Sequence, residues 1–250
     1  MDFVWIYAKP FSYFAKSGLW NELEYSIKSV KKFYPDSNIW VVGDDPAPLK
    51  ANFIPAERII THVTNCPIDM DVIKKFRVIL DSEIGDEFIL MYDDIFLLQP
   101  MTYEEITTTY ARFKVENIME YRRSWSRNYK FLWRNTYNLI KEFREDIYDW
   151  ETHLPRHLKK EGLERVIDEY DCDNIPLIAT SLYSAKYGGE TVIMDDYTQF
   201  NILRIDVNLE LGFQCKFMNI MDDSITLRFK EKMTEVFGEG TSFKSPYGRY

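Results

Sequence analysis

The stretch EFILMYDDIFLLQP, from Glu87 to Pro100, sets two adjacent carboxylates inside a run that otherwise reads as a buried strand. Burying an ionised group is costly unless it has a partner or a task. FILMY is apolar and stops at Asp93 and Asp94, so the pair stands at the carboxyl end of a strand. In open α/β sheets that end is where ligands bind. Paired carboxylates there can hold a divalent cation that clamps a diphosphate. The alternative is a turn whose aspartates cap the next segment. IFLLQP continues apolar after the pair, which a solvated turn does not explain.

Working outward, residues 3 to 7, FVWIY, read as a first buried strand that stops at AKP. NELEYSIKSVKKFYP places Leu23, Ile27, Val30 and Tyr34 at helical spacing before Pro35 ends the element. NIWVVGDD is a second strand closed by a Gly-Asp turn, and a right-handed βαβ unit follows by default. RIITHV reads as a third strand, and DMDVIKKFRVILDSEI as a core-facing helix leading into FILMY. The alternation predicts an α/β fold with a mostly parallel sheet and helices on both faces. Residues 1–250 read as a single domain, with an inserted, mainly helical lobe over about 103–190. Beyond it, ETVIMDD and FQCKFMNIMDD are short returning strands and ITLRFKEKMTEVF is a last amphipathic helix.

The chain has 250 residues, 46% of them apolar, enough for a substantial core. A net charge of −9 argues against a surface built wholly for nucleic acid or an anionic membrane, although a local basic patch stays compatible with it. Cys66, Cys172 and Cys215 are far apart and odd in number, which fits reduced thiols. The N-terminus lacks a leader pattern, and no apolar stretch nears the roughly 20 residues of a membrane span. A soluble, cytoplasmic protein is the expectation.

Two further strand exits carry carboxylate pairs, Asp195 with Asp196 and Asp222 with Asp223. Each alone is ordinary turn chemistry, but three such exits could converge on one cleft that handles a hard cation or phosphate. His153, in WETHLPRHLKK, is the candidate for proton transfer, since imidazole titrates near neutral pH. Pro155 between His153 and His157 speaks against a zinc-binding helix spanning both. From Tyr121 to Arg134, Tyr121, Trp125, Tyr129 and Trp133 recur every four residues beside Arg123, Arg127, Lys130 and Arg134. As a helix this is either an acceptor-binding stripe, with Arg123, Trp125, Arg127 and Tyr129 stacking on sugars and pairing with phosphates, or a helix burying its aromatics.

NELEYSIKS, LMYDDIFLLQP, THLPRHL and NIMDDSITLRFKEKMTEVFGEGTSFKSPY, in that order, resemble the Stealth family, which includes capsular-polysaccharide phosphotransferases and the lysosomal-enzyme GlcNAc-1-phosphotransferase. The resemblance implies a GT-A-like, Rossmann-like fold and a nucleotide-sugar donor such as a UDP- or CMP-sugar. It also implies transfer of sugar-1-phosphate to an acceptor hydroxyl, with His153 as base. Asp93, Asp94 and one of Asp222 or Asp223 would then hold Mg²⁺ or Mn²⁺ or position the donor. Asp94 and Asp223 are implied in catalysis, and Tyr7, Asn21, Glu22 and Asp93 in donor binding. The family's first block is reduced here to VWIYAKP, Tyr92 stands where the family often has Asn, and an expected arginine has no counterpart in NIPLIATSLYSAKYGGE. Transfer of the sugar alone by an ordinary GT-A glycosyltransferase, or a non-catalytic carbohydrate- or nucleic-acid-binding module, therefore stays open. The expected acceptor is a polysaccharide, a wall glycan or another hydroxyl compound. Overall acidity disfavours nucleic acid, and the oligomeric state is not legible.

Overall fold

The computed structural model describes residues 1–8, 22–58, 67–115, 127–195, 199–202, 209–220 and 225–240. β1 (Asp2–Tyr7), α1 (Glu22–Phe33) and β2 (Asn38–Gly43) open the chain, with β1 and β2 parallel from Asp2 opposite Asn38 to Tyr7 opposite Gly43. β3 (Asn52–Pro55) adds to β2, and α2 (Pro67–Leu80) leads to β4 (Glu87–Met91), parallel to β1. The strand beside β2 is thus NFIP, upstream of the expected RIITHV, most of which lies outside the described residues. NFIP is short and partly exposed, so its apolar signal is weak.

Then follow β5 (Ile95–Leu97), α3 (Tyr103–Thr107), β6 (Thr109–Ala111), α4 (Arg127–Phe143) and β7 (Arg156–Lys159). α5 (Lys160–Glu169), α6 (Ala179–Tyr187), β8 (Thr191–Ile193) and β9 (Gln199–Ile202) come next, and α7 (Leu209–Gly212), β10 (Phe217–Ile220) and α8 (Leu227–Phe237) end the described chain. The central sheet runs β3-β2-β1-β4-β7, parallel except for β7, which joins β4 antiparallel at one edge. β5, β10 and β9 form a second sheet, and β6 pairs with β8.

The period-2 alternation of strand side chains decides which helix covers which face. Phe3, Trp5 and Tyr7 of β1 cluster with Leu23, Ile27 and Val30 of α1. Val4 and Ile6 face the other way, onto Ile73, Phe76 and Ile79 of α2 and onward to Leu132, Trp133 and Tyr137 of α4. A strand buried on both faces must read as a continuous apolar run, as FVWIY does. Residues of the 103–190 segment share this core with the sheet, and the segment also contributes β7 to it.

Candidate active site at the β4 exit

The apolar run from Glu87 to Pro100 is two strands in two sheets. Between them Ile95 N–H donates to the Tyr92 carbonyl at 3.3 Å, closing a tight turn with Asp93 and Asp94 at its centre. The turn reading and the strand-exit reading therefore both hold, but this turn joins two buried strands. Helix α1 braces it from below. Ser26 Oγ accepts from Trp5 Nε1 at 2.9 Å and donates to the Ile95 carbonyl at 2.6 Å.

His153 meets the turn from the loop before β7, with Nδ1 at 3.1 Å from Asp94 Oδ2 and its ring 5.7 Å from that of Tyr92. Its φ of +46° is uncommon for a residue with a Cβ, and such strain concentrates where geometry serves a site. Buried Leu154, on the next residue, anchors the loop. An ionised carboxylate only accepts, so Nδ1 carries the hydrogen and Nε2 of the neutral ring keeps its lone pair. Half of the His153 side-chain surface stays open to solvent, while the neighbouring protein partly desolvates the ring. Burial alone pulls the imidazole down. The hydrogen bond and charge of Asp94, with help from Glu151, outweigh it and hold the group above its ordinary value.

The carboxyl edge of the parallel strands supplies the rest. Tyr7 ends β1, and burial first, then the charges of Asp93, Asp44 and Glu22, raise its phenol well above the ordinary range against the opposing Arg58. The three carboxylates thus act on one point. Asp44 follows Gly43 at the end of β2 and pairs with Arg58. Gly43 is required there: its φ is +133°, and a Cβ would lie 2.0 Å from the Tyr7 carbonyl oxygen. The stem of Lys75, a buried residue of α2 paired with Asp71, packs beside the same glycine.

A second carboxylate group lies behind His153. Glu151 accepts from Ser181 Oγ at 2.7 Å and from the Tyr129 hydroxyl at 3.3 Å, and Arg156 Nη1 is 3.9 Å away. Burial, then the charge of Glu151, pushes the carboxyl of Asp69 in α2 up to about 6. Asp149, fully buried, accepts from Tyr137 and from the Glu151 N–H.

Among the sequence-derived candidates, the structure gathers Tyr7, Glu22, Asp93, Asp94 and His153 at this edge. Asn21, Arg123, Trp125, Asp222 and Asp223 lie outside the described residues. The register sets Asn219 of β10 opposite Ile95, so β10 ends beside the Asp93–Asp94 turn. Asp195 acts instead on Tyr110 and Lys216, the latter at the opposite end of β10. Arg127 begins α4, and Tyr129 binds Glu151. Trp133 is 2% exposed and stacks on Tyr137 at 4.1 Å, so this part of the aromatic stripe is core. His157 lies in β7 rather than a helix and contacts Glu87 at 3.1 Å.

Asp44, Arg58, Asp69, Lys75 and Glu151 are absent from the sequence reading. Asp71 and Lys75, four apart, look like a solvated helix pair in the sequence, and only the packing of α2 buries Lys75. Asp44 was visible as the residue after VVG, where a turn explains it equally well.

Among the described residues no three His, Cys, Asp or Glu side chains form a group able to hold a metal ion, and no helix is long and apolar enough to cross a membrane. Mg²⁺ commonly takes only one or two carboxylates and completes its shell with substrate phosphates and water. The hard-oxygen pair Asp93 and Asp94 fits that mode.

No protein-family model matches the chain, and no curated protein matches its sequence. Among solved structures, it is similar to the galactosyltransferase LgtC in complex with donor and acceptor sugar analogues. The two share 12% identity at a TM-score of 0.51, over 99% of this chain and 98% of that one. It is also similar to an active-site mutant of LgtC, with 12% identity and a TM-score of 0.49 over 95% of each chain. A glycosyltransferase involved in the glycosylation of the major capsid of PBCV-1 shares 9% identity at 0.41, over 94% of this chain and 99% of that one. At such identities the likeness is one of fold. The chain has the GT-A glycosyltransferase fold, a mixed α/β architecture around a mainly parallel sheet.

Proposed function

We propose that this protein is a nucleotide-sugar-dependent glycosyltransferase, with the donor diphosphate at the Asp93–Asp94 turn and an acceptor hydroxyl at His153. The observation that carries the reading is the 3.1 Å contact between His153 Nδ1 and Asp94 Oδ2 at the exit of β4. It joins a base suited to neutral pH to the carboxylate pair at the ligand-binding edge of an α/β sheet. Asp94 fixes the tautomer so that Nε2 takes the acceptor proton as the hydroxyl attacks. Tyr7 and Glu22 line the donor side with Asp93. Asn21, Asp222 and Asp223 belong to the same proposed donor and metal site through their motifs. Bound Mg²⁺ or Mn²⁺, held by Asp93 and Asp94, would neutralise charge on the departing diphosphate. Arg123, Trp125, Arg127 and Tyr129 are the proposed acceptor side, within a lobe spanning about 103–190 of a single catalytic domain.

Transfer of sugar-1-phosphate is the second reading. The motifs around Asp93, Asp94 and His153 favour it, because they resemble those of the Stealth family, and His153 serves equally as base for attack on phosphorus. The product decides: UDP released from a UDP-sugar supports glycosyl transfer, and UMP supports phosphotransfer. Donor screening by thermal shift, with and without Mn²⁺, comes first, since a ligand bound only by the native state raises its stability. If no nucleotide sugar shifts the melt or is turned over, the transferase reading fails.

A further inference from the structure

Among the described residues, strand β5 pairs with β10 along one edge and with no strand along the other. In an antiparallel ladder the N–H and C=O of alternate residues face opposite sides. Leu98 N–H reaches the Lys216 carbonyl, so the even-numbered residues bond toward β10. Ile95 and Leu97 therefore aim their backbone groups the other way, at α1, where no strand lies among the described residues. Two fully buried hydroxyls meet them. Ser26 Oγ donates to the Ile95 carbonyl at 2.6 Å, and Leu97 N–H donates to Ser29 Oγ at 3.0 Å. Ser26 Oγ is oriented in turn by Trp5 Nε1 of β1, and Ser29 Oγ donates to the Ser26 carbonyl at 2.7 Å. The serines stand three apart on one face of α1, the spacing at which helix side chains are neighbours. Tyr92 and Ile95 are the first and last residues of the Asp93–Asp94 turn, and the Tyr92 carbonyl is also within 3.3 Å of Ser26 Oγ.

We propose that Ser26 is a positioning residue for the two carboxylates: with Ser29 it substitutes for a missing strand along β5 and fixes the turn against β1. The inference rests on the transferase reading for its consequence, but not for its geometry. Ser29, which meets β5 at Leu97 rather than at the turn, provides the control. Both serines lose one buried hydroxyl on substitution by alanine, yet only Ser26 holds the turn.

The test is amide hydrogen exchange by NMR on Ser26→Ala and Ser29→Ala, read at Ile95, whose N–H closes the turn, and at Leu97. Exchange at Ile95 should accelerate about tenfold in Ser26→Ala beyond any change in β1 amides, the scale of one lost buried hydrogen bond. Ser29→Ala should speed Leu97 and leave Ile95 unchanged. Unaltered protection of Ile95 in Ser26→Ala, or equal acceleration there in both variants, overturns the proposal. If Ser26→Ala does not fold, Ser26→Cys keeps the side-chain shape with a weaker donor, and wild-type protection of Ile95 in it overturns the proposal equally. Affinity for UDP or CMP with Mn²⁺ provides the functional arm, expected to fall about tenfold in Ser26→Ala and to stay within about twofold in Ser29→Ala. Equal weakening in both variants overturns the positioning role. Failure of wild-type protein to bind any nucleotide sinks the transferase reading instead, while the exchange data still decide the clamp.

Discussion

The β4–β5 turn and helix α4 both mix polar groups with apolar or aromatic neighbours, and the fold uses them in opposite ways. In the turn, Asp93 and Asp94 follow the end of a buried strand, the buried Ser26 hydroxyl bonds the backbone beneath, and Asp94 meets His153. In α4 Trp133 and Tyr137 turn inward and stack on each other, with Tyr137 in turn 6.3 Å from Trp150. A strand end delivers side chains to a shared edge of the sheet, whereas a helix face delivers them to whatever packs against it. Recurrence at four residues therefore marks burial as readily as binding.

The contrast predicts that substitutions in the turn change chemistry and those in the stripe change stability. The largest effect is expected from Asp94→Asn or His153→Ala, which should lower kcat/KM by ~10²–10⁴-fold, the range for loss of general acid–base assistance. Stability should move by less than about 1 kcal/mol, because the pair is solvent-accessible and such ion pairs contribute little. Steady-state kinetics beside chemical denaturation would show both. The wild-type acid limb of kcat/KM should lie above the ordinary imidazole value, since the base must be neutral and Asp94 raises it. Trp133→Ala should instead cost about 3–5 kcal/mol of stability while the folded fraction keeps its kcat/KM. The reverse pattern, with an unfolded Asp94→Asn and an inactive but stable Trp133→Ala, would invert the comparison.

Asp69 sharpens it further, as a carboxylate near the site that works against the fold at neutral pH. Its native carboxyl titrates at about 6 against an ordinary 3.8, so between those values the native state holds a proton that the unfolded chain has released. That contribution to stability is complete below the unfolded value and is lost as pH rises through 6. Asp69→Asn should thus raise stability at pH 7 by about 1–3 kcal/mol and flatten the pH dependence between 4 and 7. Melting curves across pH would reveal it. The smallest change is expected from Tyr129→Phe, which removes one long hydrogen bond to Glu151 and should cost about 1 kcal/mol or less. Unchanged acceptor affinity in this variant would move Tyr129 from the proposed acceptor side into the supporting wall, where it bonds Glu151.

Much of the sheet was legible because its strands are buried on both faces: FVWIY, NIWVV and FILM can only be apolar runs. β3 was missed because NFIP lies at an exposed edge and has no such signal. Asp93, Asp94 and His153 stood out as polar residues in the wrong company, and Tyr7 and Glu22 by their places in family-like motifs. Lys75, Asp69 and Glu151 did not, since a charge on a helix or in a loop reads as solvated until its neighbours are known.

Returning to EFILMYDDIFLLQP, the sequence by itself determined that a buried strand ends at two carboxylates, because hydrophobic periodicity is local and stops there. Only the tertiary structure decided that the following apolar run enters a second sheet, that Ser26 and Ser29 of a helix over 60 residues earlier cap its open edge, and that His153 meets Asp94. These contacts depend on how distant segments pack, and no local pattern of residues encodes them.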